Sequence, residues 1–237
     1  TPLCGEPRRV LDNVLGDIPY GAGYLFLSEP QDEKLPIPDL RTMGGRGVQR
    51  PSPDLLDTVY LCQRRQAWYQ DYAESAHEDR RAFVGSAKVS DHPDEIASKI
   101  RRHVSFEIKE RLGCPTWTDA LRLFIQRAED AGVLVMVSGV VGSNNQRPLD
   151  PDEFRGFALA DPLAPLVFIN GADTKAAQIF TLAHELAHLW LGESALSNVG
   201  PASSPTQRIE AWCNRVAAEV LAPLDDLRRE LGQDDAL

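Results

Sequence analysis

The segment from residue 174 to residue 191 constrains the fold of this chain more than any other part of its sequence. Mostly apolar residues surround three polar ones at its centre, His184, Glu185 and His188, and Gly192 follows as a typical helix end. A helix this apolar is predicted to be largely buried. Because a buried imidazole or carboxylate is costly unless it binds a metal or forms hydrogen bonds, the fold must provide partners for these three side chains.

The spacing of the three polar residues is that of the HExxH zinc motif. His184 and His188 are four residues apart, so both rings lie on one helix face and can direct a nitrogen to a single ion at about 2.0–2.1 Å. Glu185 lies about 100° further around the helix, where its carboxylate can reach a water molecule bound to that ion. The alternative, a surface helix with two solvated histidines, disagrees with the apolar flanks. We therefore predict a zinc site with His184 and His188 as ligands and Glu185 as the catalytic base.

A third protein ligand is expected, because a peptidase zinc has three such ligands and one open position. The next predicted helix, over residues 206–221, carries Glu210 and Asn214 four residues apart on one face. The segment 192–205 is long enough for the two helices to run antiparallel. We therefore predict Glu210 as the third metal ligand and Asn214 as a hydrogen-bond partner of a ligating histidine. Glu219 is the rival carboxylate, but it lies further from the connecting loop.

Hydrophobic periodicity and helix-end signals predict the remaining elements. They are, in chain order, a helix from Asp54, helices over 91–112 and 116–132, strands over 133–137, 156–160 and 166–169, and the two helices named above. A polar loop is predicted over 142–152. The order helices, strands, helices indicates an α+β fold, in which a small, mainly antiparallel sheet packs against a helical bundle that carries the HExxH helix, as in zincin-like proteins.

Composition indicates the domain organisation and the compartment. Residues 1–53 are rich in Pro and Gly and are predicted to form an extended N-terminal connector, followed by a helical segment over 54–114 and a zinc metallopeptidase domain over 115–237. The net charge of -10 disagrees with a uniformly basic nucleic-acid surface. We find no secretory signal, no apolar run of about eighteen residues and no closely spaced cysteines, so we expect a cytoplasmic protein without membrane contact.

Two stretches resemble the ImmA/IrrE-like metallopeptidase family. Residues 180–189 are similar to its active-site helix, and residues 210–223 are similar to the following helix with its Glu-x-x-x-Asn step. The resemblance implies a zinc-dependent endopeptidase that cleaves a partner transcriptional repressor of the helix-turn-helix type and so releases stress-response, mobile-element or phage-defence genes. It makes DNA a candidate activating signal. Residues 23–42 are similar to the connector of longer members that carry an N-terminal helix-turn-helix domain.

Two questions stay open at the level of sequence. The chain is either an active peptidase or a catalytically silent, metal-binding regulatory module that binds a partner protein or DNA. The fourth position on the metal is open to water or to Cys114, which lies in a rigid Gly-Cys-Pro turn and is a candidate inhibitory ligand because a thiolate binds zinc well. An ordinary loop cysteine is the simpler interpretation of Cys114.

Overall fold

The computed structural model describes residues 36–37, 51–106, 110, 113–197, 205–224, 226 and 228, all of which belong to the unit Leu35–Leu237. Most of the connector predicted over residues 1–53, including the family-like stretch 23–42 apart from residues 36 and 37, lies outside the described residues. Within the described part of the chain, no helix is both long enough and apolar enough to cross a lipid bilayer.

The secondary structure follows the predicted order of helices, strands and helices. Among the described residues the helices are α1 (Pro53–Ser75), α2 (Pro93–His103), α3 (Trp117–Asp130), α4 (Lys175–Leu191) and α5 (Pro205–Leu221). The strands are β1 (Leu134–Ser138), β2 (Val140–Val141), β3 (Asn144–Pro148), β4 (Gly156–Leu159), β5 (Leu166–Asn170) and β6 (Ala195–Ser197). The predicted strands β1, β4 and β5 and the predicted helices α3, α4 and α5 are confirmed. The short strand β6 was not predicted.

The main sheet has the strand order β1-β5-β4-β6. Strand β5 pairs in parallel with β1 and antiparallel with β4, and β4 pairs antiparallel with β6. Antiparallel pairing therefore predominates. Together with the helices packed against this sheet, it confirms the predicted α+β fold.

The loop predicted over residues 142–152 is wrong in part, because β2 and β3 form an antiparallel hairpin there. The polar side chains that suggested a loop have specific partners. Arg147 donates to the carboxylate of Asp54 at 2.8 Å and to that of Asp57 at 2.7 Å, both on α1. Leu149 directly after the hairpin is buried. These contacts hold a polar segment against the body of the protein.

Helix α2 ends at His103, earlier than predicted. Ser105 adopts a left-handed conformation with φ 50°, and the N–H of Phe106 donates to the carbonyl oxygen of Arg101 at 3.0 Å. This is the pattern of a Schellman helix end, in which glycine usually occupies the left-handed position. The buried ring of Phe106 stacks on Phe124 with centroids 4.2 Å apart. Burial of this ring therefore stabilises the end of α2, although the sequence has no glycine at the left-handed position.

The sheet separates two apolar clusters. On one face Ala158, Val167 and Ile169 pack with helices α2, α3, α4 and α5. On the other face Phe157 and Phe168 pack with α1 and the segment before β4. Side chains of β4 and β5 alternate between the two clusters, as the period of a strand requires, so both strands are buried throughout. Helix α4 lies between the sheet and α5, which places the HExxH motif in the core.

Candidate metal centre

Helix α4 carries the motif, and local interactions define both of its ends. At its start the hydroxyl of Thr174 accepts a hydrogen bond from a backbone N–H of the first turn at 3.3 Å. Gln178 donates from its side-chain amide to the carbonyl oxygen of Asp173 at 2.6 Å. At its end Gly192 adopts φ 73°. The direction in which α4 enters the core is therefore fixed by residues on either side of the motif.

His184, His188 and Glu210 converge in the core between α4 and α5. The two Nε2 atoms are 3.1 Å apart. The Oε2 atom of Glu210 lies 3.3 Å from Nε2 of His184, and its Oε1 atom lies 3.2 Å from Nε2 of His188. Their exposed fractions are 2%, 0% and 1% for His184, His188 and Glu210. Among the described residues these three form a group of potential metal ligands, with all ligand atoms within 4.8 Å of one another.

The separations of these atoms fit a tetrahedral zinc ion. Two ligands at about 2.0–2.1 Å from such an ion lie about 3.3 Å from each other. The observed separations run from 3.1 to 3.3 Å. Two imidazoles and one carboxylate are also a known ligand set of catalytic zinc, in which the fourth position stays open. The residues present therefore fit the ion that the sequence predicts.

Burial and ion pairing together give the ligands suitable protonation states. Burial lowers the pKa of His188, which keeps the ring neutral and its lone pair free for a metal. For Glu210, burial by itself raises the pKa, but the hydrogen bonds that the carboxylate accepts from His184 and His188 outweigh it and lower the pKa to about 2. The carboxylate is therefore ionised at neutral pH. A buried negative charge of this kind is stabilised by a bound cation.

Glu185 lies beside the ligand group and is fully buried. Its Oε1 atom is 3.4 Å from the position that a Cβ atom on Gly156 would occupy, so β4 passes directly over the carboxylate. The thiol of Cys213 on α5 also lies close to Glu210 and Glu185. Burial raises the pKa of its thiol well above the ordinary value, and the charges of Glu210 and Glu185 raise it further. The carboxylate of Glu185 thus occupies a position from which a base could act on a molecule bound at the ligand group.

The other predicted site residues are not members of the ligand group found among the described residues. Asn214 has a buried Oδ1 atom without a hydrogen-bond partner in the described part of the chain, so its role beside a ligating histidine stays a prediction. Glu219 accepts a hydrogen bond from the N–H of Leu224 at 3.3 Å, just beyond α5. Cys114 is half-buried and its Sγ atom donates to the carbonyl oxygen of Glu110 at 3.5 Å. Its inhibitory role also stays a prediction.

Sequence reasoning missed the contribution of β4 to this site. A Cβ atom on Gly156 would lie 2.5 Å from Cγ2 of Thr181 on α4 and 2.7 Å from the carbonyl oxygen of Phe168 on β5. Only glycine therefore allows β4 to approach α4 this closely. A glycine inside a strand often marks such a close approach, and Gly156 could have been identified from that signal.

A comparison with protein families supports the relationship that the two helices indicate. Residues 128–235 match the model of the Peptidase_M78 family, described as the IrrE N-terminal-like domain. The matched segment begins in α3 and includes the main sheet, α4 and α5. Searches of curated proteins and of solved structures found no match. Residues 128–235 are therefore similar to the IrrE N-terminal-like domain of the Peptidase_M78 family, and this stretch contains all three residues of the ligand group.

Proposed function

We propose that this chain is a zinc-dependent endopeptidase that cleaves a partner transcriptional repressor of the helix-turn-helix type. Cleavage would release stress-response, mobile-element or phage-defence genes from repression, in the cytoplasm. The observation that carries the peptidase assignment is the buried convergence of His184, His188 and Glu210 beside Glu185. The family match supports a peptidase. The repressor as substrate, and DNA as an activating signal, rest on the resemblance of α4 and α5 to ImmA/IrrE-like proteins.

We also propose that residues 115–237 form the catalytic domain and that residues 54–114 form a helical segment packed on it. Packing around α4 supports this organisation. Phe83, which lies before α2, stacks on Trp190 of α4 with ring centroids 4.3 Å apart. Trp212 of α5 donates from its indole N–H to the carbonyl oxygen of Asp91 at 2.9 Å. The helical segment thus supports both helices that carry the ligand group.

The chemistry is divided among four side chains. His184, His188 and Glu210 would hold the zinc ion, which when bound supplies a Lewis acid that activates water and polarises the scissile carbonyl. Glu185 accepts a proton from the attacking water and passes it to the nitrogen of the leaving amine. Burial of Glu185 excludes bulk water from that proton transfer. Because β4 crosses over Glu185, a substrate backbone that pairs with β4 brings its peptide bond to this carboxylate.

The metal content of the purified chain tests the ligand assignment. We expect about one zinc ion per chain, because the three ligands form one tetrahedral site. His184→Ala and Glu210→Ala should each lose most of this zinc, whereas His92→Ala, which changes an exposed histidine outside the site, should retain it. Elemental analysis by mass spectrometry after dialysis measures the ratio. Equal zinc content in all four proteins would show that the metal binds elsewhere.

Cleavage of a repressor tests the catalytic assignment. The parent chain and Glu185→Gln are incubated with helix-turn-helix repressors encoded beside its gene, with and without single-stranded DNA. Glu185→Gln should keep its zinc but lose at least about a hundredfold in cleavage rate, the usual contribution of a general base. A zinc-loaded parent chain that leaves every repressor intact under all these conditions would refute the peptidase. That result favours the catalytically silent regulatory module.

A further inference from the structure

Strand β4 lies close to the carboxylate of Glu185, and its outer edge is occupied. Gly156 of β4 lies beside Oε1 of Glu185. On the side away from β5, β4 pairs antiparallel with β6, with Gly156 opposite Ser197 and Ala158 opposite Ala195. Paired residues on neighbouring strands are about 5 Å apart. The backbone of β6 therefore lies in the strand position next to Glu185.

The alternation of backbone groups along β4 shows which of them β6 occupies. The carbonyl oxygen of Arg155 accepts from the N–H of Asn170, toward the β5 side. Successive residues of a strand direct their N–H and C=O groups to opposite edges. Gly156 and Ala158 therefore direct theirs toward β6. These are the groups that an extended polypeptide would need in order to pair with β4 over the active site.

The contact that β6 makes with β4 is short. It spans the three residues Ala195–Ser197 and is extended at one end by Ser194, whose Oγ atom accepts from the N–H of Ala160 at 2.9 Å. The helix end before it is fixed, because Gly192 packs against Gly85 so closely that an added Cβ atom would lie 2.8 Å from the Cα atom of Gly85. Movement is therefore confined to the chain that follows Gly192. Edge strands of this length exchange readily between paired and unpaired states.

Access to the site requires that something move. Glu185 and His188 are 0% exposed, and His184 and Glu210 are 2% and 1% exposed. A polypeptide substrate cannot reach buried side chains without displacing part of the protein. Strands β5 and β4 are buried on both faces, and α4 and α5 form the core. Strand β6, at the edge of the sheet, is the element beside Glu185 that can leave at least cost.

We propose that β6 is a detachable strap that occupies, in the resting enzyme, the strand position that an extended substrate takes beside β4. The substrate would displace β6, pair antiparallel with β4 through Gly156 and Ala158, and present its peptide bond to Glu185. This proposal rests on the proposed peptidase function. It adds that the enzyme selects extended, unstructured segments, and that its resting activity is limited by the release of β6.

Hydrogen exchange tests detachment without reference to catalysis. In the zinc-loaded wild-type chain, the amides of Gly156 and Ala158 should exchange at least about tenfold faster than those of Phe157 and Leu159, after correction for intrinsic rates, because only the former depend on β6. Residue-resolved exchange by NMR measures all four. If the four amides exchange together at the rate of global unfolding, β6 is a permanent strand and the proposal is wrong.

Cleavage of an unstructured probe, β-casein, tests the competition with substrate. Ala195→Pro removes the N–H that faces Ala158 and should increase cleavage several-fold. Leu196→Pro is the matched control, because its N–H faces away from β4, and it should cleave within about twofold of wild type. Ser194→Ala, which only removes the acceptor for the N–H of Ala160, is the milder variant and should also increase cleavage. Zinc content and thermal unfolding confirm that each variant is folded.

The outcomes separate this proposal from the proposed function. Cleavage by wild type that depends on Glu185, with no increase in Ala195→Pro or Ser194→Ala, retains the peptidase and overturns the strap. Equal increases in cleavage by Ala195→Pro and Leu196→Pro also overturn it, because the increase would then not depend on the loss of a hydrogen bond to β4. No cleavage of β-casein by any variant overturns the substrate role of β4, and the peptidase itself is refuted only if the helix-turn-helix repressors also stay intact. Hydrogen exchange then decides by itself whether β6 detaches.

Discussion

Replacement of Gly156 by alanine probes the close approach of β4 to α4. The new methyl group would lie 2.5 Å from Cγ2 of Thr181 and 2.7 Å from the carbonyl oxygen of Phe168. Both separations are well below ordinary van der Waals contact, which begins near 3.5 Å. The carbonyl oxygen belongs to β5, which is paired on both sides and cannot move away easily. The methyl group must therefore displace β4 itself or the side chain of Thr181.

The magnitude follows from two opposing terms. A glycine-to-alanine change without a steric conflict stabilises a protein by about 0.4–1 kcal/mol, because it reduces the freedom of the unfolded chain. An extra methyl group in a well-packed core costs about 1–3 kcal/mol. Two short contacts, one of them with backbone, indicate the upper part of that range. We expect Gly156→Ala to lower the free energy of unfolding by about 1–2.5 kcal/mol.

Urea unfolding of the zinc-loaded protein measures this change, and Thr181→Ser provides a test of its cause. The serine lacks the Cγ2 atom but not the hydroxyl, so the double variant should recover part of the loss, and the contact with Phe168 should prevent full recovery. Cleavage should fall more than zinc content, because the displaced strand lies over Glu185 rather than over the ligands. A loss smaller than about 0.5 kcal/mol, or no coupling between the two changes, would refute the close packing of β4 on α4.

Two further predictions concern cysteines. Cys114→Ser should leave zinc content and basal cleavage within about twofold of wild type, because the thiol donates to the carbonyl oxygen of Glu110 and a hydroxyl can replace it; a rise of tenfold or more in a cleavage assay would instead establish the inhibitory ligand. Burial raises the pKa of Cys62 to about 12, so at pH 8 its thiolate is about a thousandfold scarcer than that of an ordinary cysteine with pKa 9.0. Mass spectrometry should find Cys62 unmodified by iodoacetamide in the native chain and modified in urea, and rapid labelling of the native chain would contradict its burial.

The parts of the fold that could be predicted from sequence are those in which local signals agree with the tertiary structure. Thr116 accepts a hydrogen bond from the N–H of Asp119 at 3.1 Å, and Gly132 ends the same helix with φ 88°, as their positions in the sequence indicated. The histidines of α4 and Glu210 of α5 could be assigned to one metal site from sequence. In each helix the polar residues are four positions apart and therefore share one helix face. Their convergence needed only one assumption, that the connecting segment allows the two helices to pack together.

The elements that could not be predicted depend on partners distant in sequence. Strand β6 is three residues long and exists because β4 presents an edge to it. The hairpin of β2 and β3 is held by Arg147 through two aspartates about ninety positions earlier. The end of α2 depends on the burial of Phe106 rather than on a local signal. A short window of the sequence does not predict these contacts, because each of them joins segments that come together only in the folded protein.

The burial that makes this site a good metal centre also determines how a substrate must reach it. A neutral His188 and an ionised Glu210 within 3.2 Å of each other are tolerable in an apolar core because a cation can compensate the carboxylate. The same core surrounds Glu185, so the base is oriented before any substrate arrives. A substrate must then come by a route that does not disturb the ligands. The substrate therefore approaches along the sheet rather than between the helices. Helices α4 and α5 carry the ligands and must stay in place. Strand β6 carries no ligand, and it lies at the edge of β4, the strand that crosses over Glu185.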